Sequence, residues 1–463
     1  MKTNTLDFDA QALRERILDL AMRGKLVPQD PNDEPASELV KNNDLKSSDE
    51  KPHDIPDSWE WIVLGSGVKF INGRAYKKSE LLEDSSLTPV LRVGNLFTNS
   101  SWYYSNLNLD PNKYIDNRDL IYAWSASFGP KIWDGGHVIY HYHIWKLILD
   151  QAINKNYLYY FLLDKRNVIG ETDLHGSTMK HITKTNMEHL SFPLPPFLEQ
   201  SRIAAKIAQL FALLRKVESS TQQYAELQTL LKSKVLDLAM RGKLVKQDPN
   251  DEPASVLLEE IKTEKAELVK EKKSKKSKPL PPITDEEKPF DIPDSWEWVR
   301  LGAIFDITSS KRVMKSEWRN EGVPFYRARE IVSIKNHRAL KDPIFISEET
   351  YKEKAEVSGR PKIDDILLTG VGTLGVPYVV SDNKEFYFKD GNIIWLRNIG
   401  KINSYYISNY IQSPYMTKII NNGRGTTVAT LTIVRARNLL VPLPPLMEQT
   451  RIVNKINKLY KLI

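Results

Sequence analysis

No cysteine occurs among the 463 residues. Disulfides, thiolate metal sites and cysteine nucleophiles are therefore excluded, and the cytoplasm is the expected compartment. No run approaches the ~20 apolar residues that a membrane span requires, so no membrane partner is expected. The start, Met1 to Gln11, has no apolar core of the kind a signal peptide carries. Negative charge falls slightly short: 59 Asp and Glu face 66 Lys and Arg, giving a net charge of +7 and a pI near 9.0. That is a mild lean toward a polyanionic partner. Hydrophobic residues at 41% and charged residues at 27% suit a globular protein, and the length suits two halves better than one domain.

Repetition is the chain's strongest positive signal. Residues Leu18 to Ser37 recur at Leu236 to Ser255 with a single change, Pro28 to Lys246. Asp54 to Trp61 recurs unaltered at Asp291 to Trp298, and Pro193 to Ile203 is echoed at Pro442 to Ile452. The stretches between the echoes have drifted far apart. Two like scaffolds carrying unlike inserts suit a molecule that recognises two different things with one geometry.

From Glu199, the residues Ile203, Ile207, Leu210, Leu214, Val217, Tyr224, Leu231, Val235 and Leu238 fall on an alternating four-three spacing, interrupted only at Thr221 and Gln228. Such a stripe predicts a long coiled-coil helix ending near Gly242, a rod of roughly 60 Å at ~1.5 Å per residue. The chain ends carry the pieces of a second rod. Leu13, Ile17 and Leu20 match Leu231, Val235 and Leu238, while Ile452, Ile456, Leu459 and Ile463 match Ile203, Ile207, Leu210 and Leu214. Read as a ring, the chain has nearly two-fold symmetry, and its termini are expected beside the central helix. Strands are expected at Trp61 to Phe70, Val90 to Val93, Leu120 to Ala123 and His137 to Leu149, and again at Trp298 to Ile307, Ile366 to Thr369, Val376 to Val380 and Ile393 to Arg397. Asn156 to Leu163 and Ser404 to Gln412 read as helices, and Lys262 to Pro282 as a solvated helix tail passing into a linker.

Two divergent inserts, each opened by Pro-x-x-Trp-Glu-Trp and closed by Pro-Leu-Pro-Pro-x-x-Glu-Gln-x-Arg-Ile before a long helix, resemble the specificity subunit of type I restriction-modification enzymes. The Leu-Ala-Met-Arg-Gly-Lys-Leu-Val segment is similar to that family's helical repeats. The resemblance covers nearly the whole chain. It implies an α+β chain of two mixed α/β target-recognition domains joined by long antiparallel coiled-coil helices with circular pseudo-two-fold symmetry. Residues 1–50 then hold the N-terminal half-helix and a linker, 51–197 the first recognition domain, and 198–261 the central helix. Residues 262–287 form a Lys/Pro-rich linker, 288–446 the second recognition domain, and 447–463 the C-terminal half-helix. The implied partners are double-stranded DNA, two methyltransferase subunits and motor-nuclease subunits. S-adenosylmethionine, ATP and Mg are expected on those partners and no cofactor on this chain. The short helix ending at Ile463 departs from the family pattern.

The motifs that imitate chemistry have plainer readings. Gly370 to Gly375 fits G-x-G-x-x-G after an expected strand, but Val376 to Val380 reads as another strand where a phosphate site needs a helix; a tight hairpin able to approach a DNA backbone is expected. His141 and His143 stand two apart on an expected strand and face the same way, yet nothing supports them as metal ligands, and a structural or DNA-contacting role is expected. Asp364 and Asp365 lack the acidic-then-lysine spacing of a nuclease, and no Asn/Asp-Pro-Pro-Tyr methyltransferase motif occurs. The chain is expected to have no catalytic centre and no metal.

DNA contact needs cations for phosphates and flat or amide-bearing side chains for base edges. The first insert offers Arg74, Lys77, Lys78, Arg92, Asn95 and Lys131, with Lys180, His181 and Lys184 near Gly176 to Thr178. The second offers Lys311, Arg312, Lys315, Arg327, Arg329, Glu330 and Thr373, with Arg424 near Gly425, Thr426 and Thr427. Gly94-Asn95 in one half becomes Arg329-Glu330 in the other, a swap that different half-sites require. Alternative readings are the recognition subunit of a combined restriction-methylation enzyme, a coiled-coil protein scaffold that binds no DNA, and a stand-alone nuclease.

Overall fold

A computed structural model of the chain describes residues 8–97, 100–125, 128–169, 183–271, 278–422 and 430–463. The backbone divides into unit 1, Met1–Gln222, and unit 2, Gln223–Ile463. In unit 1, helices α1 (Ala10–Met22) and α2 (Ala36–Asn42) precede the strands β1 (Glu60–Val63), β2 (Val68–Asn72), β3 (Thr88–Leu91), β4 (Tyr103–Ser105) and β5 (Tyr114–Ile115). There follow β6 (Leu120–Ala123), β7 (Gly129–Ile132), β8 (Val138–Tyr140), β9 (Ile144–Leu149) and β10 (Ser191–Leu194), and then α3 (Phe197–Met240), which crosses the boundary. β1 pairs antiparallel with β10; a four-stranded sheet has the order β2-β9-β6-β7, and another has the order β4-β3-β8-β5 with β3 parallel to β8.

Unit 2 repeats this. After α4 (Ala254–Lys270) come β11 (Glu297–Arg300), β12 (Phe305–Thr308), β13 (Trp318–Arg319), β14 (Val323–Tyr326) and β15 (Ile344–Ile346). Then come β16 (Ile366–Thr369), β17 (Pro377–Val379), β18 (Tyr387–Phe388), β19 (Ile393–Asn398), β20 (Leu440–Leu443) and α5 (Leu446–Tyr460). β11 pairs with β20, and the sheets run β12-β19-β16-β17 and β13-β15-β14-β18, with β14 parallel to β18. One edge differs: β5 flanks β8 in unit 1, whereas β13 flanks β15 in unit 2.

Two-sided burial explains the central strands. β6 is buried at every position. Leu120 and Tyr122 join the core of helix Lys155–Leu163, while Ile121 faces the cluster of Leu91, Val138 and Tyr140. β16 repeats the alternation, with Ile366 and Leu368 on one face and Leu367 on the other. Side chains of alternate parity therefore cement two cores, each buried Leu or Ile contributing about 1.5–3 kcal/mol.

The repeated segments converge in space. Gly24, at φ +66°, ends α1 with Lys25 N donating to Leu20 O at 2.8 Å, and a Cβ there would lie 2.3 Å from Pro56 Cγ. Gln29 Nε2 and Trp59 Nε1 donate to the Glu199 carboxylate at 2.6 and 3.0 Å, and Arg202 pairs with Asp33. Unit 2 builds the same cluster from Gly242, Pro293, Gln247, Trp296, Glu448, Arg451 and Asp251. Unit 1 takes α1 and the start of α3; unit 2 takes the end of α3 and α5. That division is the one the circular reading requires.

Four expectations change. The apolar stripe of α3 is one continuous helix, but burial holds only toward its ends, at Ile203, Ile207 and Val235; Val217, Tyr224 and Leu231 are 44, 61 and 52% exposed. Trp61 to Phe70 and Trp298 to Ile307 are each broken by a helical turn, Leu64–Gly67 and Leu301–Ile304, which carries the chain from one sheet to the next. His137 to Leu149 is also two strands. His141 N bonds to Leu91 O and Ile144 N to His141 O, so His141 and His143 occupy a turn. Finally, Lys265, within the expected solvated tail, donates to the carbonyls of Gly302, Ala303 and Phe305 at 2.8–3.0 Å, and burial lowers its ammonium to about 8.

Candidate nucleic-acid interface

Both four-stranded sheets of unit 1 deliver their strand ends to one place. Asn72 at the end of β2 lies opposite Trp145, Ala123 at the end of β6 opposite Ile144, and Leu91 at the end of β3 opposite Tyr140 at the end of β8. The residues that follow are Arg74, Trp124, Arg92 and the turn His141-Tyr142-His143. Backbone bonds tie them: Arg74 N to Tyr140 O at 3.0 Å, Tyr142 N to Arg74 O at 3.1 Å, and Trp124 N to His143 O at 3.1 Å. Arg92 lies over the Tyr103 ring at 4.4 Å, with its N–H accepted by Asn95 Oδ1 at 3.2 Å. Burial, then the neighbouring His143 and Arg92, push the His141 imidazole down to about 4, so it is neutral at physiological pH.

Unit 2 gathers the corresponding positions. Lys389 N donates to Tyr326 O at 2.8 Å as His141 N does to Leu91 O, and Gly370 N donates to Asn392 O at 2.8 Å as Trp124 N does to His143 O. Lys311, Arg312, Arg327, Lys389 and Thr373 therefore share one end of the unit. Gly370 to Gly375 is the tight hairpin joining β16 and β17; Gly375 N returns to Thr369 O at 2.8 Å, and Thr373 stands exposed in the turn. Arg312 Nε donates to Asp390 at 3.1 Å.

Arg327, Arg329 and Glu330 form a set. Glu330 is 2% exposed; its carboxylate takes the Arg327 N–H at 2.9 Å, Arg327 Nη2 at 2.7 Å and Arg329 Nε at 2.5 Å. Burial pushes its carboxyl up, but these hydrogen bonds outweigh burial and hold it below the usual carboxylate range. Asn95 and Glu330 thus do one job, accepting the N–H of the arginine three residues before them. As placed, Glu330 presents arginines and has no oxygen facing outward.

A second shared device is the turn Lys77-Lys78-Ser79-Glu80, repeated as Met314-Lys315-Ser316-Glu317. Glu80 accepts Lys77 N at 2.8 Å and Glu317 accepts Met314 N at 2.5 Å. The Lys77 N–H and Arg74 hold the Glu80 carboxyl down. Lys77, Lys78 and Lys315 stand exposed.

Not every expected residue joins these ends. Lys131 lies on edge strand β7 opposite Ile121, over Trp133 and 3.6 Å from Asp134. Lys184 opens the helix Lys184–Glu188, which packs on the turn before β2, away from Arg74. Lys180, His181, Arg424, Thr426 and Thr427 lie outside the described residues. Asp365 is structural, taking Trp395 Nε1, Lys362 N and Asn398 N at 2.8–2.9 Å. Trp124, Tyr142, Lys389 and Asp390 were not among the expected site residues; the aromatic run Tyr140 to His143 was the available signal. Among the described residues, no group of three or more His, Asp or Glu is placed to hold a metal, and no helix is long and apolar enough to cross a membrane.

Two like α+β units whose side chains diverge at one cation-bearing end have the construction of a two-part DNA-recognition protein. Residues 56–228 and 293–463 each match the type I restriction modification DNA specificity domain, and the chain belongs to that family. It is similar to the type I restriction enzyme EcoAI specificity subunit of Escherichia coli, with 31% identity over 98% of this chain and 89% of that one. The EcoEI specificity subunit of the same organism is 29% identical with the same coverage. A chain from a solved structure concerning complex assembly and conformational transition of the type I R-M system shares the fold. Its TM-score is 0.57 at 19% identity, covering 89% of this chain and 92% of that one.

Proposed function

We propose that this chain is the DNA-specificity subunit of a type I restriction-modification complex, unit 1 reading one half and unit 2 the other half of an asymmetric bipartite site. The observation that carries the reading is the pair of matched strand ends: equivalent bonds from the main-chain N–H to the side chain three residues on hold Arg92 and Arg327, and equivalent backbone bonds hold His141 and Lys389, in like positions with unlike neighbours. Arg74, Lys77, Lys78, Arg92, Lys311, Arg312, Lys315, Arg327 and Arg329 supply phosphate and base-edge contacts; Asn95 and Glu330 hold the arginines; Thr373 offers a hydroxyl from its hairpin. Lys131 and Lys184 serve as peripheral phosphate contacts.

The chain recruits two methyltransferase subunits, which bring S-adenosylmethionine, and motor-nuclease subunits, which bring ATP and Mg. It carries no catalytic residue of its own and works in the cytoplasm. Helix α3, paired with the terminal helices as an antiparallel coiled coil, acts as the ruler between half-sites. The test is to insert or delete one heptad in the middle of α3 and map methylated adenines left by the assembled complex. The expected result is a changed gap between two unchanged half-sites; changed half-sites overturn the ruler.

A further inference from the structure

The link between β8 and β9 is His141-Tyr142-His143, and that between β18 and β19 is Lys389-Asp390-Gly391-Asn392. Both are anchored alike at their first and last residues, as described, but the first has three residues and the second four, so the units differ here in backbone length as well as in side chains. In unit 2 the link is charged, with Asp390 holding Arg312, and Gly391 sits at φ +69°. In unit 1 it is a cluster of rings. The Tyr142 ring lies 4.4 Å from His141 and 4.0 Å from His143, and Trp124 lies 4.9 Å from His143. Trp124 Nε1 donates to Tyr142 O at 2.9 Å, and Tyr142 N donates to Arg74 O, so the link is braced from two sides. Tyr142 itself is 38% exposed.

The link carries no Lys or Arg, and the phosphate donor that its exposed tyrosine offers is the phenol hydroxyl, which Tyr142→Phe removes while keeping the ring. An exposed, braced aromatic ring at the end of a recognition unit suits an apolar feature of a base edge, and on an intact duplex the major groove offers one such feature, the thymine 5-methyl group. We propose that Tyr142 is a specificity-determining residue whose ring contacts a thymine methyl in the half-site read by unit 1, with Trp124 as the positioning residue behind it. This rests on the proposed function.

The experiment uses the full chain assembled with methyltransferase subunits and a randomised duplex pool. If the wild-type complex selects no bipartite sequence, the proposed function fails whatever Tyr142 does. Given a selected duplex, Tyr142→Ala is expected to weaken binding about tenfold and relax one half-site only. The slope of log affinity against log salt stays unchanged, because no phosphate contact is lost. Tyr142→Phe retains selection. Replacing the thymines of that half-site with deoxyuridine costs the wild type about fourfold, one methyl contact, and costs Tyr142→Ala nothing further. The proposal is overturned by unchanged selection in Tyr142→Ala, by a flattened salt slope, by a Tyr142→Phe loss equal to that of alanine, or by wild-type indifference to deoxyuridine. The Tyr142→Phe and deoxyuridine arms decide the matter even if the alanine variant does not fold.

Discussion

Trp59 donates its indole N–H to Glu199 at 3.0 Å in unit 1, and Trp296 repeats the bond to Glu448 at 2.9 Å in unit 2. Both carboxylates are almost wholly buried, and burial pushes both carboxyls up. Each draws together residues from three separated stretches of chain: the segment after a helix, the Trp-Glu-Trp strand and the Glu-Gln helix start. The near-identity of the repeats is the identity of this cluster. A charge buried with two specific donors tolerates little substitution.

Removing one donor therefore has a local cost. Trp59→Phe leaves a buried carboxylate oxygen unsatisfied and is expected to destabilise unit 1 by about 1–3 kcal/mol. Native-state hydrogen exchange checks this: protection falls in unit 1 and holds in unit 2, and Trp296→Phe gives the mirror image. Equal loss in both units refutes the assignment.

Glu330 is expected to matter through the arginines it holds. Glu330→Ala releases Arg327 and Arg329 and leaves Ala328–Lys335 without the carboxylate that caps its first turn. A stability loss of about 1–3 kcal/mol is expected. The half-site of unit 2 loses definition while that of unit 1 keeps its sequence, as read by mapping methylated adenines. A variant that alters both half-sites equally contradicts the separation of roles.

Much of this was legible in the sequence, and the misses have physical causes. The repeats announced two units, and the circular match of Ile17 to Val235 announced which helix halves belong together. β6 and β16 were legible because both faces are buried, giving unbroken apolar runs. The helical turns at Leu64 and Leu301 were not, since four residues of mixed character carry no period. Glu330 looked like a base-reading group because exposure is invisible in sequence; the structure shows its oxygens committed to arginines and a backbone N–H. Tyr142 was overlooked because a turn of rings between two apolar strands reads as one long strand.

Acidification tests the neutral His141. Its folded value of about 4 lies below the ordinary 6.5, so the unfolded chain takes up a proton first. Stability is therefore lost as pH falls from 6.5 toward 4, by at most about 3 kcal/mol and by less where water reaches the ring. His141→Phe is expected to flatten this part of the pH dependence of unit 1, followed by hydrogen exchange across that range. A ring resonance titrating near 6.5 in the folded wild type excludes the effect.

Lys78 and Lys315 occupy the same place in the repeated Lys-Ser-Glu turn, and each extends from a backbone pinned by its glutamate. A cation held so contributes to affinity for any sequence. Replacing either with alanine is expected to weaken binding uniformly across sites and to reduce the slope of log affinity against log salt by about 1, and the double variant by about 2. Half-site preference stays as in the wild type because no base contact is removed. Titrations of the assembled complex against one selected duplex and one scrambled duplex, at several salt concentrations, separate this outcome from its opposite. Loss confined to the selected duplex assigns the lysines to base recognition instead.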